Sequence, residues 1–252
     1  MTSLAPAPWT QGVIYSFDVE STSPDPMTAH IVTASLVKLF KGEYSDKRSW
    51  ALRPAVEIPQ AAIDVHGITN EWIQENGADP AEGLEGIITM LVAILKGRFP
   101  LVVCNAAYDL TVIEAQAEYY GVRSLREQLT KNEWRTIIDP MVLAKGYEHY
   151  WLQEFVKGRN FKLPSVCERY GVPFVESHDA TADAIGAGRL AVELVNRDAV
   201  MSTKGPAGLT QLQKTWRLKS QNGLRAYFEK KNMAFDDVDS GWPLHSSLIT
   251  AG

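Results

Sequence analysis

Hydrophobic positions along the chain follow two periods in alternation. "GVIYSFDVE" (12–20) reads as a strand, "HIVTASLVKLF" (30–40) as a second and "KRSWALRP" (47–54) as a third, with "SPDP" a turn between the first two. "IPQAAIDVHGITNEWIQ" reads as a loop. The apolar spacing then predicts a helix through "AEGLEGIITMLVAILKG", ended by its last glycine. "PLVVC" is a short buried strand, "YDLTVIEAQAEYYG" a helix closed by Gly121, and "RTIIDPMVLAK" a strand running into a helix. "LPSVCERYG" and "TADAIGAGRLAVELVNR" complete the helical segments before a composition break at "STKGPAG". Strands and helices interleaved in this way indicate an α/β fold. The boundaries predicted are a flexible extension over 1–12, a main domain over 13–200, and a basic helical extension and tail over 201–252.

The first strand carries an anomaly. Residues two apart point to the same face, so Ile14, Ser16, Asp18 and Glu20 share one side while Val13, Tyr15, Phe17 and Val19 face the core. Asp18 and Glu20 then stand about 7 Å apart at the strand's end. Two anions this close repel unless a cation lies between them, and a divalent metal is the usual answer. The alternative is an exposed strand end with two solvated acids. Further acids weigh on that choice. "CNAAYDLTVI" sets Asp109 in the first turn of a helix, and "SHDATADAIGAG" offers His178 and Asp183 at the start of another. Asp139 and Asp179 stand where helix caps are expected.

Three stretches in this order resemble the DEDD superfamily of 3′-5′ exonucleases in its histidine subtype, the group of the proofreading epsilon subunit of bacterial DNA polymerase III. "FDVEST" is similar to its strand ending in D-x-E-x-T, "NAAYDL" to its Asn-led second motif, and "HDATADA" to its His-x4-Asp-Ala motif. The similarity runs from about 13 to 195, with "VHGIT" and "TIIDPMVLAKGY" between the motifs. Ser23 stands where the family usually has glycine. The resemblance implies a ribonuclease H-like mixed sheet flanked by helices. It implies two divalent cations, Mg²⁺ or Mn²⁺, held by Asp18, Glu20, Asp109 and Asp183, with Asp18 bridging. His178 is then the general base, suited by an imidazole that titrates near neutral pH. Thr22, His66 and Asn105 are expected to contact the substrate. The implied partners are single-stranded DNA or DNA 3′ ends and a DNA polymerase or other replication protein, for proofreading or DNA repair and processing.

Composition narrows the alternatives. At 252 residues and 45% hydrophobic, the chain can bury a sizeable core. Cys104 and Cys167 lie far apart and outside any CxxC spacing, so neither a disulfide framework nor a cysteine-ligated zinc is expected, and a reducing cytoplasm is. "MTSLAPAPWTQG" lacks the build of a signal peptide, and "IITMLVAIL" is too short to cross a bilayer. A net charge of −5 argues against a protein that coats nucleic acid but permits one that grips a strand locally. An RNA exonuclease of the same fold, like ribonuclease T or oligoribonuclease, shares every motif residue. A phosphatase needs D-x-D-x-T, which "DVEST" misses. A non-catalytic binding module would be marked by a lost ligand, and none is lost.

Two segments carry a second expectation. "KGYEHYWLQEFVKGRNF" is rich in aromatic residues that either stack on bases or pack a helix onto the domain. Between 204 and 231, Lys204, Lys214, Arg217, Lys219, Arg225, Lys230 and Lys231 face the single acid Glu229. Leu209, Leu212, Trp216, Leu224 and Tyr227 recur there at helical spacing, which predicts an amphipathic helix docked by one face. Its cations either hold a substrate strand, dock a partner, or are merely solvated.

Overall fold

The computed structural model of the protein describes residues 5–151, 159–175, 179–234 and 238–249. Strands β1 (Val13–Ser21), β2 (Ile31–Phe40), β3 (Glu43–Ala51), β4 (Leu101–Val103) and β5 (Ile137–Ile138) form one sheet in the order β3-β2-β1-β4-β5. β1 is central, antiparallel to β2 and parallel to β4. This is the mixed sheet expected. Lys41 and Gly42, both at positive φ, join β2 to β3 in a two-residue turn. β3 starts four residues earlier than its pattern suggested. It is an exposed edge strand paired only with β2, so its polar residues show no alternation to read.

Helices cover both faces of the sheet. Phe17 and Val19 pack beneath α3 (Pro80–Lys96) and α4 (Ala106–Tyr120). Ile14, Val37 and Val102 pack beneath α8 (Ala180–Arg197), with α6 (Pro140–Gly146) and α7 (Leu163–Tyr170) beside it. The reading of β1 is thus corrected: Ile14 and Ser16 do not lie on an outer face but are fully buried. Small residues permit the close approach of α8. A Cβ added at Gly188 would meet Leu39 Cδ1 at 2.2 Å and Ser16 Cβ at 3.3 Å.

The stretch after β3 is also corrected from loop to helix. α1 (Gln60–His66) ends at Gly67 in the left-handed conformation, and α2 (Asn70–Asn76) starts where the Thr69 hydroxyl accepts from Trp72 N. Both helices are only seven residues long and mostly exposed, too short for their spacing to stand out. The short α5 (Leu125–Gln128) opens with a capping box between Ser124 and Glu127.

The two ends of the chain return to the body. A 3₁₀ turn, Pro8–Gln11, is tied down by Ala7 N donating to Asn196 Oδ1 and by the Trp9 indole donating to Lys204 O. α9 (Pro206–Lys230) runs unbroken through Gly223. Its docked face ends at Trp216, however, because Leu224 and Tyr227 are 41% and 47% exposed. The tail then lays Trp242 and Leu244 into the core under α3 and α4, before the last turn α10 (Ser246–Ile249). Arg217 and Arg225 donate to the tail carbonyls of Asp239 and Val238, so two cations of the basic helix bind the chain's own tail.

Candidate metal centre

The central strand and two helix starts build the site. Asp18 is paired directly with Ser35 of β2, and the Ser35 and Thr181 hydroxyls lie 3.0 Å apart. That bond pins the first turn of α8 over the strand end, which brings Asp183 to Glu20 and Asp18. Carboxylate oxygens of these three residues all lie within 4.8 Å of one another. Asp109 reaches the same region from the first turn of α4. It does not belong to the three-carboxylate group, but Glu20 and Asp183 both act on its charge.

The electrostatics are those of a cation site. Burial, followed by the charges of Asp109, Glu20, Asp183 and Asp179, holds the Asp18 carboxyl well above the usual carboxylate range. Burial and then Asp183 and Asp179 push Glu20 up to about 8. Asp109 is raised by burial and by Glu20, against a lowering contribution from the Val19 backbone N–H. Among the described residues, the charged neighbours that raise Asp18 and Glu20 most are all acids. In addition, Asp109 Oδ2 is buried without a hydrogen-bond partner. Burying like charges beside an unsatisfied oxygen costs several kcal/mol unless a cation compensates, so these residues fit an oxygen-liganded divalent ion.

The neighbouring side chains have distinct settings. Asp139 and Asp179 are helix caps, as expected. Asp179 accepts from Thr181 N, while Asp139 accepts from Met141 and Val142 in α6 and from Asn105 and Ala106 at the start of α4. One buried carboxylate therefore aligns the helix that carries Asp109. Reading Asp139 as a single cap missed this second role, for which the sequence offers no signal. Thr22 is buried, and its hydroxyl accepts from His30 N. Tyr108 donates to the Ser23 carbonyl and contacts the Ser21 hydroxyl, so the turn at Ser23 is tethered to α4 beside the strand end. Burial pushes the Tyr108 phenol up to about 12.

His66 and Asn105 flank the centre on separate clefts. His66 Nδ1 accepts from Ile68 N, its Nε2 is buried without a partner, and burial lowers its pKa. It lines a cavity of about 480 Å³ with Asp179, Thr181, Lys47 and Trp72. Asn105 adopts the left-handed conformation (φ 57°, ψ 48°) before α4 and lines a groove with Cys104. His178 lies outside the described residues. Cys104 and Cys167 are free thiols. No helix among the described residues is long and apolar enough to cross a membrane.

No protein-family model matches the chain. It is 26% identical over 203 residues to the PolC-type DNA polymerase III of Thermotoga petrophila, a match covering 80% of this chain and 13% of that one. It is 26% identical over 181 residues to the PolC-type DNA polymerase III of Oceanobacillus iheyensis, covering 72% and 11%. The chain thus spans about an eighth of the length of the curated relatives it matches. Among solved structures it superposes on exonuclease I from Methylocaldum szegediense with a TM-score of 0.61 at 16% identity, over 76% of this chain and 42% of that one. The zinc-bound E. coli exonuclease I–single-stranded DNA complex gives 0.61 at 15% identity, over 86% and 45%. The fold is shared with less than half of the exonuclease I chain, and it is the ribonuclease H-like architecture that the motifs implied.

Proposed function

We propose that the chain is a metal-dependent 3′-5′ exonuclease that releases 5′-mononucleotides from DNA 3′ ends. The observation that carries this reading is the convergence of Asp18, Glu20 and Asp183, with the orphaned Asp109 oxygen beside them. The similarity to DNA polymerases III and the fold shared with exonuclease I support DNA as the substrate and a replication polymerase as the partner.

Asp18, Glu20, Asp109 and Asp183 would hold two divalent cations, Mg²⁺ or Mn²⁺, with Asp18 shared. When bound, such a pair supplies an activated water and neutralises charge on the scissile phosphate. Asp139 keeps α4 aligned so that Asp109 stays in register with the strand end. His178, one residue before the cap Asp179, would take the proton of a water whose oxygen bonds to phosphorus as the P–O3′ bond breaks. This leaves the 5′-phosphate on the released nucleotide and an O3′ that takes a proton from solvent. His66 Nε2, a buried polar atom without a partner whose ring accepts at Nδ1, is suited to donating a hydrogen bond to the terminal nucleotide in the adjoining cavity. Asn105, which lines the separate groove, and Thr22, buried just past the strand end, would be further substrate contacts.

The test is a time course on single-stranded DNA, duplex DNA and RNA labelled at the 5′ end, with Mg²⁺, Mn²⁺ or chelator. Stepwise shortening from the 3′ end of DNA, with 5′-mononucleotides released and no reaction in chelator, is expected. Preferential shortening of RNA would move the substrate to the sister RNA enzymes. Cleavage of circular single strands at a comparable rate would sink the exonuclease reading.

A further inference from the structure

A groove of about 750 Å³ opens between α6, the turn Tyr147–Trp151 and the exposed half of α9. Its inner end is formed by Cys104 and Asn105. Cys104 directly follows Val103, the β4 residue paired with Phe17, so this end lies across from Asp18. The Asp18 and Asp109 charges reach the Cys104 thiol and, after burial and Asp139, raise its pKa.

The lining has the chemistry of a single-strand binder. Among its described residues, Lys145, Arg217 and Lys219 face one acid, Asp139, whose oxygens are already taken by four backbone N–H groups. Lys145 stands over the Phe161 ring at 5.3 Å and Lys219 over the Tyr150 ring at 5.5 Å. Tyr227 contributes a half-exposed ring from α9. Cations and aromatic rings that share one groove suit the phosphates and bases of a single strand. Arg217 is committed to the tail carbonyl of Asp239, which leaves the two lysines as the cations available to phosphates.

We infer that this groove holds the single strand upstream of the 3′-terminal nucleotide and guides it to the carboxylate centre. The choice of ligand rests on the exonuclease reading, because the Cys104–Asn105 end of the groove borders the strand end that carries Asp18. The expected helix-wide basic face is thereby narrowed. Lys214 lines a different cleft, against α4 and the tail, and Lys230 and Lys231 lie past the groove's end.

The test measures binding of a fluorescent oligo-dT of about ten nucleotides in chelator, where turnover is silent, from about 50 to 200 mM salt. The variant pair Lys145→Ala with Lys219→Ala should flatten the log–log salt dependence by about 1.4, because each phosphate contact in a single strand contributes about 0.7. Tyr227→Ala, on an exposed ring, should weaken binding on the order of tenfold. Lys230→Ala with Lys231→Ala removes the same charge outside the groove and should keep the wild-type slope. Equal flattening by both lysine pairs, or none by the first, overturns the groove. A wild-type protein that shows this slope difference but shortens no DNA with metal overturns the exonuclease reading alone. One that shortens DNA while the groove variants bind normally overturns the groove alone.

Discussion

At the scale of single residues, the carboxylate centre couples protonation to metal. Glu20 titrates near 8 in the folded chain against an ordinary value of 4.5, and Asp18 is raised as well. A raised acid favours the folded state only while protonated. Its contribution is therefore complete below the unfolded pKa and lost as pH rises through the folded one. The metal-free protein is accordingly expected to melt at progressively lower temperature between about pH 4.5 and pH 8. Mg²⁺ or Mn²⁺ should restore the melting temperature, and by more at pH 8 than at pH 6, since the ion binds the ionised form. Asp18→Asn should flatten both trends. Thermal melts with chelator and with metal provide the check, and a metal-free melting temperature that rises over this window would contradict the assignment.

At the scale of elements, one substitution should have opposite signs in two helices. Glycine costs a helix about 1 kcal/mol relative to alanine, so Gly→Ala stabilises where space allows. Around Gly223 in α9 nothing lies within 4 Å of the added methyl, and Gly223→Ala should gain about 0.5–1 kcal/mol. A Cβ added at Gly188 in α8 would meet buried Leu39 Cδ1 of the sheet at 2.2 Å, and Gly188→Ala should lose about 1–3 kcal/mol through overpacking. Urea melts of the two variants decide the matter. A stabilised Gly188 variant would mean that α8 does not pack this tightly, and the hold on Asp183 would be looser than described.

At the scale of the whole molecule, the segment after 200 belongs to the body. Leu209 and Trp216 complete the core under α8, and Trp242 and Leu244 complete the one under α3 and α4. Gln213 accepts from Asp139 N and donates to Ile137 O, closing the sheet's far edge. Each large apolar side chain stabilises by roughly 1.5–3 kcal/mol. Losing four removes about 6–12 kcal/mol, comparable with the whole stability of a domain. A chain cut after Val200 is expected to lose cooperative unfolding and to aggregate, as a urea titration of the fragment would show. A fragment with a normal transition would instead support an independent unit over 13–200.

Much of this was legible in the linear order of residues. Short apolar runs between turn signals located β1, β2 and β4, glycines and caps bounded the main helices, and three short motifs named Asp18, Glu20, Asp109 and Asp183. These features are local, set by side-chain alternation and by backbone groups within a turn. The start of the exposed strand β3 and the short helices α1 and α2 escaped because solvent covers most of their surface and no burial pattern marks them. Other features depend on residues far apart in the chain. Spacing alone could not tell that both faces of β1 are covered, that Asp139 caps two helices, or that α9 frees Lys219 and Tyr227 to form a groove with Lys145. Those outcomes arise from packing between segments some 75 residues apart, such as the Asp139 to Gln213 contact, and depend on shape and volume that no one-dimensional pattern records.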